Sequence, residues 1–87
     1  MKIQLVVSEA CVPCDQAEAI WREVAADLDL DFSVVDLAAP EGQRLAARLE
    51  INTIPALVMD GTLVAIGVQS PLEARALVAR PPSPIRP

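Results

Sequence analysis

Eighty-seven residues support one domain, because a chain this short buries about 60–65% of its unfolded surface on folding and has no room for a second core. Hydrophobic residues make up 53% of the chain, with Trp21 and Phe32 as the aromatic side chains, which implies an aliphatic core and excludes disorder of the body. Seven Lys and Arg against twelve Asp and Glu leave a net charge of −5, the wrong sign for gripping nucleic-acid phosphates or docking on anionic lipid.

No apolar run approaches the ~20 residues that span a bilayer. Met1-Lys2 leads into Ile3–Val7, an apolar stretch too short for a signal peptide, and Ser8-Glu9 follows in place of a cleavage site. The expected location is therefore the cytoplasm. There, reducing conditions make a Cys-x-x-Cys pair catalytic or metal-binding more often than structural.

Residues 2–7 are rich in Ile, Val and Leu and read as a short buried strand. From residue 12 to about 29, Cys14, Ala17, Trp21, Val24 and Leu28 recur in steps of three and four, one apolar stripe along a helix. Phe32–Asp36 reads as a second strand, and Pro40-Glu41-Gly42 opens a helix with Leu45, Ala46 and Leu49 on one side. That order implies a parallel strand pair joined by a right-handed crossover. Ala56–Met59 and Thr62–Ile66 flank Asp60-Gly61, a strong signal for a type I′ hairpin. Ser70-Pro71-Leu72-Glu73 combines an N-cap serine, a first-turn proline and a capping-box glutamate, so a third helix starts there and is expected to run to about Arg80. The domain is thus assigned to residues 1–80. Residues 81–87, with four prolines, form a proline-rich C-terminal tail.

Cys11 and Cys14 fall where the first strand gives way to the first helix. Free amides and the positive end of the helix dipole favour a thiolate at Cys11 and hold it below the ordinary thiol range. Cys14, three residues on, meets Cys11 on one side of the turn, close enough for a disulfide. The apolar stripe runs back to Cys14 but leaves Cys11 at the helix tip. Cys11 is accordingly assigned as the attacking thiolate and Cys14 as the sheltered thiol that resolves the mixed disulfide. No metal is expected: zinc wants about four ligands, the chain has no histidine and no further cysteine, and a complete site would need two chains sharing their pairs. A structural bridge over so short a loop would constrain the unfolded chain little.

The order β-α-β-α-β-β-α with Cys11-Val12-Pro13-Cys14 before the first helix resembles a minimal thioredoxin-like fold, an α/β four-stranded mixed sheet with three helices. Ile51-Asn52-Thr53-Ile54-Pro55-Ala56 looks like the thioredoxin loop that ends in a cis proline facing the dithiol. The resemblance implies that Ile54 pairs its backbone with an extended substrate, that Pro55 is cis, and that Pro13, Ile54 and Pro55 contact substrate. Gly67 stands where that family has a glycine before its last helix. Ala10 replaces the family's tryptophan before the first cysteine. Leu5 replaces its buried acid, and Trp21 reads as core packing.

The resemblance covers Lys2 to Arg80 and implies a protein-disulfide reductase needing no cofactor. Its expected partners are a disulfide-containing protein and a cellular reductase, with the chain itself a monomer. A glutathione-linked, glutaredoxin-like reductase and a non-enzymatic redox switch or binding module are the alternatives. Against the first, the Pro-Tyr, upstream basic residue and Gly-Gly-x-Asp-like run of glutaredoxins are missing from Val12-Pro13, Ser8-Glu9 and Gly67-Val68.

Overall fold

The computed structural model describes residues 1–80, so the proline-rich tail of 81–87 lies outside the described residues. Its elements are β1 (Lys2–Val7), α1 (Val12–Leu28), β2 (Asp31–Asp36), α2 (Pro40–Leu49), β3 (Ala56–Met59), β4 (Thr62–Ile66) and α3 (Pro71–Val78). The sheet order is β2-β1-β3-β4, with β1 parallel to β2 and antiparallel to β3, and β3 antiparallel to β4.

Alternation along the strands sorts the core onto two sheet faces. Ile3, Leu5, Leu57, Met59 and Val64 pack with Ala17, Trp21 and Val24 of α1 and Ala74 of α3. Val6, Val35, Ala56 and Val58 pack on the other face with Leu45 of α2 and Ile51. Because both faces of the central strands are covered, β1 and β3 read as nearly continuous apolar runs. Gln4 interrupts that run on the α2 face, where its amide donates to Glu41 at 3.3 Å.

Asp60 and Gly61 take φ of 49° and 83°, the two positive values a type I′ turn requires. At α3, the Ser70 hydroxyl accepts from the Glu73 N–H at 3.1 Å and the Glu73 carboxylate accepts from the Ser70 N–H at 2.9 Å, closing the expected capping box.

Two boundaries and one buried face depart from expectation. Leu28 is 43% exposed, and Ala25 joins Cys14, Ala17, Trp21 and Val24 on the buried face of α1. At 3.6 residues per turn Leu28 still falls in the middle of that face, so its exposure comes from its place as the last residue of α1, next to the left-handed Asp29, and Ala25 sits at the margin of the same face. β2 begins one residue early, because Lys2 of β1 pairs with Asp31. α3 ends at Val78 and not near Arg80: the Ala79 N–H bonds back to Ala76 in a tighter final turn, and Pro81 disfavours helical backbone at the residue before it.

Candidate active site: a dithiol facing a proline loop

β1 ends at Val7, and Ser8–Ala10 carry the chain to Cys11, which is the N-cap of α1 with extended backbone (φ −115°, ψ 102°). An N-cap side chain ordinarily offers an oxygen to the amides of the first turn. Here the acceptor is sulfur: Cys11 Sγ receives the Cys14 N–H at 3.2 Å. The Cys11 carbonyl takes the Asp15 N–H at 3.1 Å, the first bond of the helix ladder. Val12 and Pro13 are exposed in the first turn, where proline is tolerated because the amide it lacks would have no intrahelical partner.

Cys11 and Cys14 are joined in a disulfide with their Cα atoms 5.2 Å apart, within the range such a bond prefers. Their surroundings differ. Cys14 is 2% exposed on the packed stripe of α1, whereas Cys11 is partly exposed at the tip. Among the described residues no three His, Cys, Asp or Glu side chains gather closely enough to hold a metal ion.

The sheet register places the proline loop at the same end of the sheet as this pair. Val6 of β1 is opposite Ala56, the first residue of β3, so Pro55 adjoins Val7 at the end of β1 that leads to Cys11. The Ile54–Pro55 peptide bond is cis, and Pro55 is buried while Ile54 is half-buried. Ala56 also faces Ile66, the last residue of β4, and the next residue, Gly67, donates its N–H to the Pro55 carbonyl at 2.8 Å. Gly67 has φ of 87°, which glycine adopts without a Cβ penalty. Three loops therefore converge on one end of the sheet: 8–11, 52–55 and 67–70. Among the described residues nothing hydrogen-bonds to the backbone of Thr53 or Ile54, which leaves an open edge beside the dithiol.

Exposed apolar side chains flank these loops along the chain, Val12 at 67% in the first turn of α1 and Leu72 at 79% in that of α3, with Ile66 at the end of β4 and Val68 less so. Two features of this end escaped the reading of the sequence. Ala10 takes a left-handed conformation (φ 54°) immediately before Cys11, and Gln69 is buried between Gly67 and the α3 cap. Neither carries a local signal: alanine is not a preferred left-handed residue, and a polar side chain in a loop reads as solvent-facing.

A β-α-β-α-β-β-α domain with a Cys-x-x-Cys pair at the tip of its first helix and a cis-proline loop beside it is a thioredoxin-fold dithiol protein. The family model of the thioredoxin domain matches residues 1–79, and the chain belongs to that family. A search of curated proteins finds no match.

Solved structures agree on the fold. Thioredoxin 1 of Thermosipho africanus aligns with a TM-score of 0.64 at 17% identity, covering 91% of this chain and 88% of that one. Thioredoxin f2 of Chlamydomonas reinhardtii aligns with a TM-score of 0.65 at 21% identity, over 93% and 80% of the two chains. The oxidised thioredoxin of Plasmodium falciparum gives 0.62 at 19% identity, over 90% and 79%. No helix among the described residues is long and apolar enough to cross a membrane.

Proposed function

We propose that the chain is a cytoplasmic, monomeric thiol–disulfide oxidoreductase that reduces disulfides of protein substrates through Cys11 and Cys14. The observation that carries this reading is the asymmetry of the pair: one sulfur partly exposed as the helix N-cap and facing a backbone amide, the other buried three residues on. In the reduced protein the Cys11 thiolate attacks one sulfur of a substrate disulfide. The Cys11–substrate S–S bond forms as the substrate bond breaks, and the departing substrate sulfur takes up a proton. Cys14 then loses its proton and attacks Cys11 Sγ, forming the Cys11–Cys14 disulfide and releasing the second substrate thiolate, which takes up a proton in turn. Two electrons pass from dithiol to substrate, and a cellular dithiol reductase returns them.

Pro13, Ile54 and Pro55 are assigned to substrate contact, with the free backbone at Thr53–Ile54 pairing an extended segment and Val12, Ile66, Val68 and Leu72 offering it apolar surface. The charge at this end argues for a protein substrate over glutathione. Segments 8–15, 52–55 and 67–73 contain Glu9, Asp15 and Glu73 but no Lys or Arg, and a small molecule bearing two carboxylates would meet like charge.

Insulin reduction driven by dithiothreitol tests the proposal. Wild type accelerates precipitation over the reagent alone, Cys11→Ser does not, and Cys14→Ser accumulates a mixed disulfide visible by intact mass. Full activity in Cys11→Ser would reject it.

A further inference from the structure

Gln69 is 8% exposed, a polar side chain buried in the short loop between β4 and α3. Burying an amide is costly unless both its ends are satisfied, and both are. Its Oε1 accepts from Trp21 Nε1 at 3.2 Å, and its Nε2 donates to the Gly67 carbonyl at 3.3 Å. The chemistry fixes the orientation, since a flipped amide would set donor against indole N–H and oxygen against carbonyl.

Gly67 is thereby gripped through both of its peptide groups. Its carbonyl is held by Gln69, and its N–H is spent on the Pro55 carbonyl at 2.8 Å. Trp21 is fully buried on the same α1 stripe as Cys14, seven residues on and so about 10 Å along the helix. A continuous chain of hydrogen bonds thus runs from the body of the dithiol helix through Gln69 and Gly67 to the proline loop.

Building on the function proposed above, we infer that Gln69 is a positioning residue that sets the Ile54–Pro55 loop, and with it the open backbone at Thr53–Ile54, at a fixed distance from Cys11. It acts through Gly67 and touches neither sulfur. Its contribution therefore falls on substrate binding and leaves the dithiol chemistry alone.

A role limited to satisfying the buried indole makes a different prediction, and Gln69→Glu separates the two. Burial favours the neutral acid, whose O–H could replace the lost donor, so the variant is read at alkaline pH, where the ionised carboxylate still accepts from Trp21 Nε1 but cannot donate to Gly67. Positioning predicts that Gln69→Glu and Gln69→Leu each raise KM for a protein disulfide about five-fold, the worth of one hydrogen bond. The turnover number and the alkylation rate of reduced Cys11 should stay within about two-fold. Trp21→Phe, which frees one end of Gln69 and spares its bond to Gly67, should give a smaller KM rise and serves if the Gln69 variants do not fold.

Amide hydrogen exchange at Gly67 reads the same tie without any substrate and should quicken about five-fold in Gln69→Glu. A wild-type protein that reduces no disulfide would reject the proposed function, while the exchange measurement would still judge the Gln69–Gly67–Pro55 tie. Unchanged KM and unchanged Gly67 exchange in a folded variant would overturn the inference, as would a fall in turnover that matches the fall in kcat/KM.

Discussion

Replacing Gly42 by alanine tests how closely α2 must approach the sheet. In an ordinary helix interior this change is favourable by about 0.5–1 kcal/mol, because glycine loses more backbone entropy on folding. The structure reverses that sign. A Cβ on Gly42 would overlap the carbonyl oxygen of Asp36 and lie 2.8 Å from its carbon and 3.0 Å from the Leu37 Cα, where ordinary contact begins near 3.4 Å. All three obstacles are backbone, and that backbone is itself held, with the Leu37 N–H on the Val7 carbonyl at 2.8 Å. α2 would have to retreat and loosen the packing of Leu45 against Val6, Val35, Ala56 and Val58. Overpacking of this kind costs about 1–3 kcal/mol or more, against a total stability of about 4–13 kcal/mol for a domain this size. Urea denaturation should therefore show Gly42→Ala less stable than wild type by about 1–3 kcal/mol. Ala47→Gly, on the exposed side of the same helix, should lose the usual ~1 kcal/mol. A neutral or stabilised Gly42→Ala protein would refute the close-approach argument.

Glu50 caps α2 in a left-handed conformation (φ 54°) with its carboxylate at the negative end of the helix. Glu50→Gly should stabilise the protein by about 0.5–1 kcal/mol, the relief of the left-handed cost less the entropy of the unfolded chain, read as a higher Tm. The Glu73 carboxyl is held below its ordinary 4.5, first by the Ser70 backbone N–H and then by the Ser70 hydroxyl. A depressed folded-state pKa means that its stabilisation is fully present above 4.5 and is lost as pH falls through the lower folded value. An NMR titration should find the Glu73 pKa raised in Ser70→Ala, which also costs about 1 kcal/mol of stability. Leu5 is fully buried against Ala17 and Trp21. Leu5→Asp, which installs the acid that thioredoxins carry there, should cost several kcal/mol. Desolvation raises that carboxyl in the folded state, so the penalty should grow as pH rises above ~4. A wild-type-minus-variant difference that stays flat between pH 4.5 and 7.5 would contradict this reading.

What could be read from the letters was whatever neighbouring residues decide among themselves. The bounds of β3 and β4 follow from the Asp60-Gly61 turn between them, and the start of α3 follows from Ser70 and Glu73, because each signal is complete within a few residues. Cys11 and Cys14 were legible for the same reason. The cis geometry at Pro55 was not: it was expected from resemblance alone, since an X–Pro bond carries no local mark of its isomer. Gln69 was illegible for a different reason. Its partner Trp21 lies 48 residues away, and no pattern of period two or 3.6 joins a loop amide to an indole. Leu28 lies on the expected face but is exposed, because periodicity gives the direction of a side chain and not where the helix runs past its cover, and Leu28 is the last residue of α1.

Among the described residues four other than glycine take positive φ, and three of them turn the chain at ordinary places: Asp29 and Glu50 at helix ends, Asp60 in the hairpin. Ala10 does not. It stands where the chain passes from β1 into α1, accepting a strain of roughly 1–2 kcal/mol that glycine would avoid. The consequence is that Cys11 arrives as the N-cap with its sulfur on the Cys14 amide, the place a serine would hold in a helix with no chemistry to perform. An amide that every helix start leaves without a partner is the same group that steadies a thiolate. On the function proposed above, capping and activation would be one interaction, and Cys11→Ser exchanges one good cap for another. Helix α1 should persist in that variant, and its loss of disulfide reduction would report on the missing sulfur and not on a disordered helix.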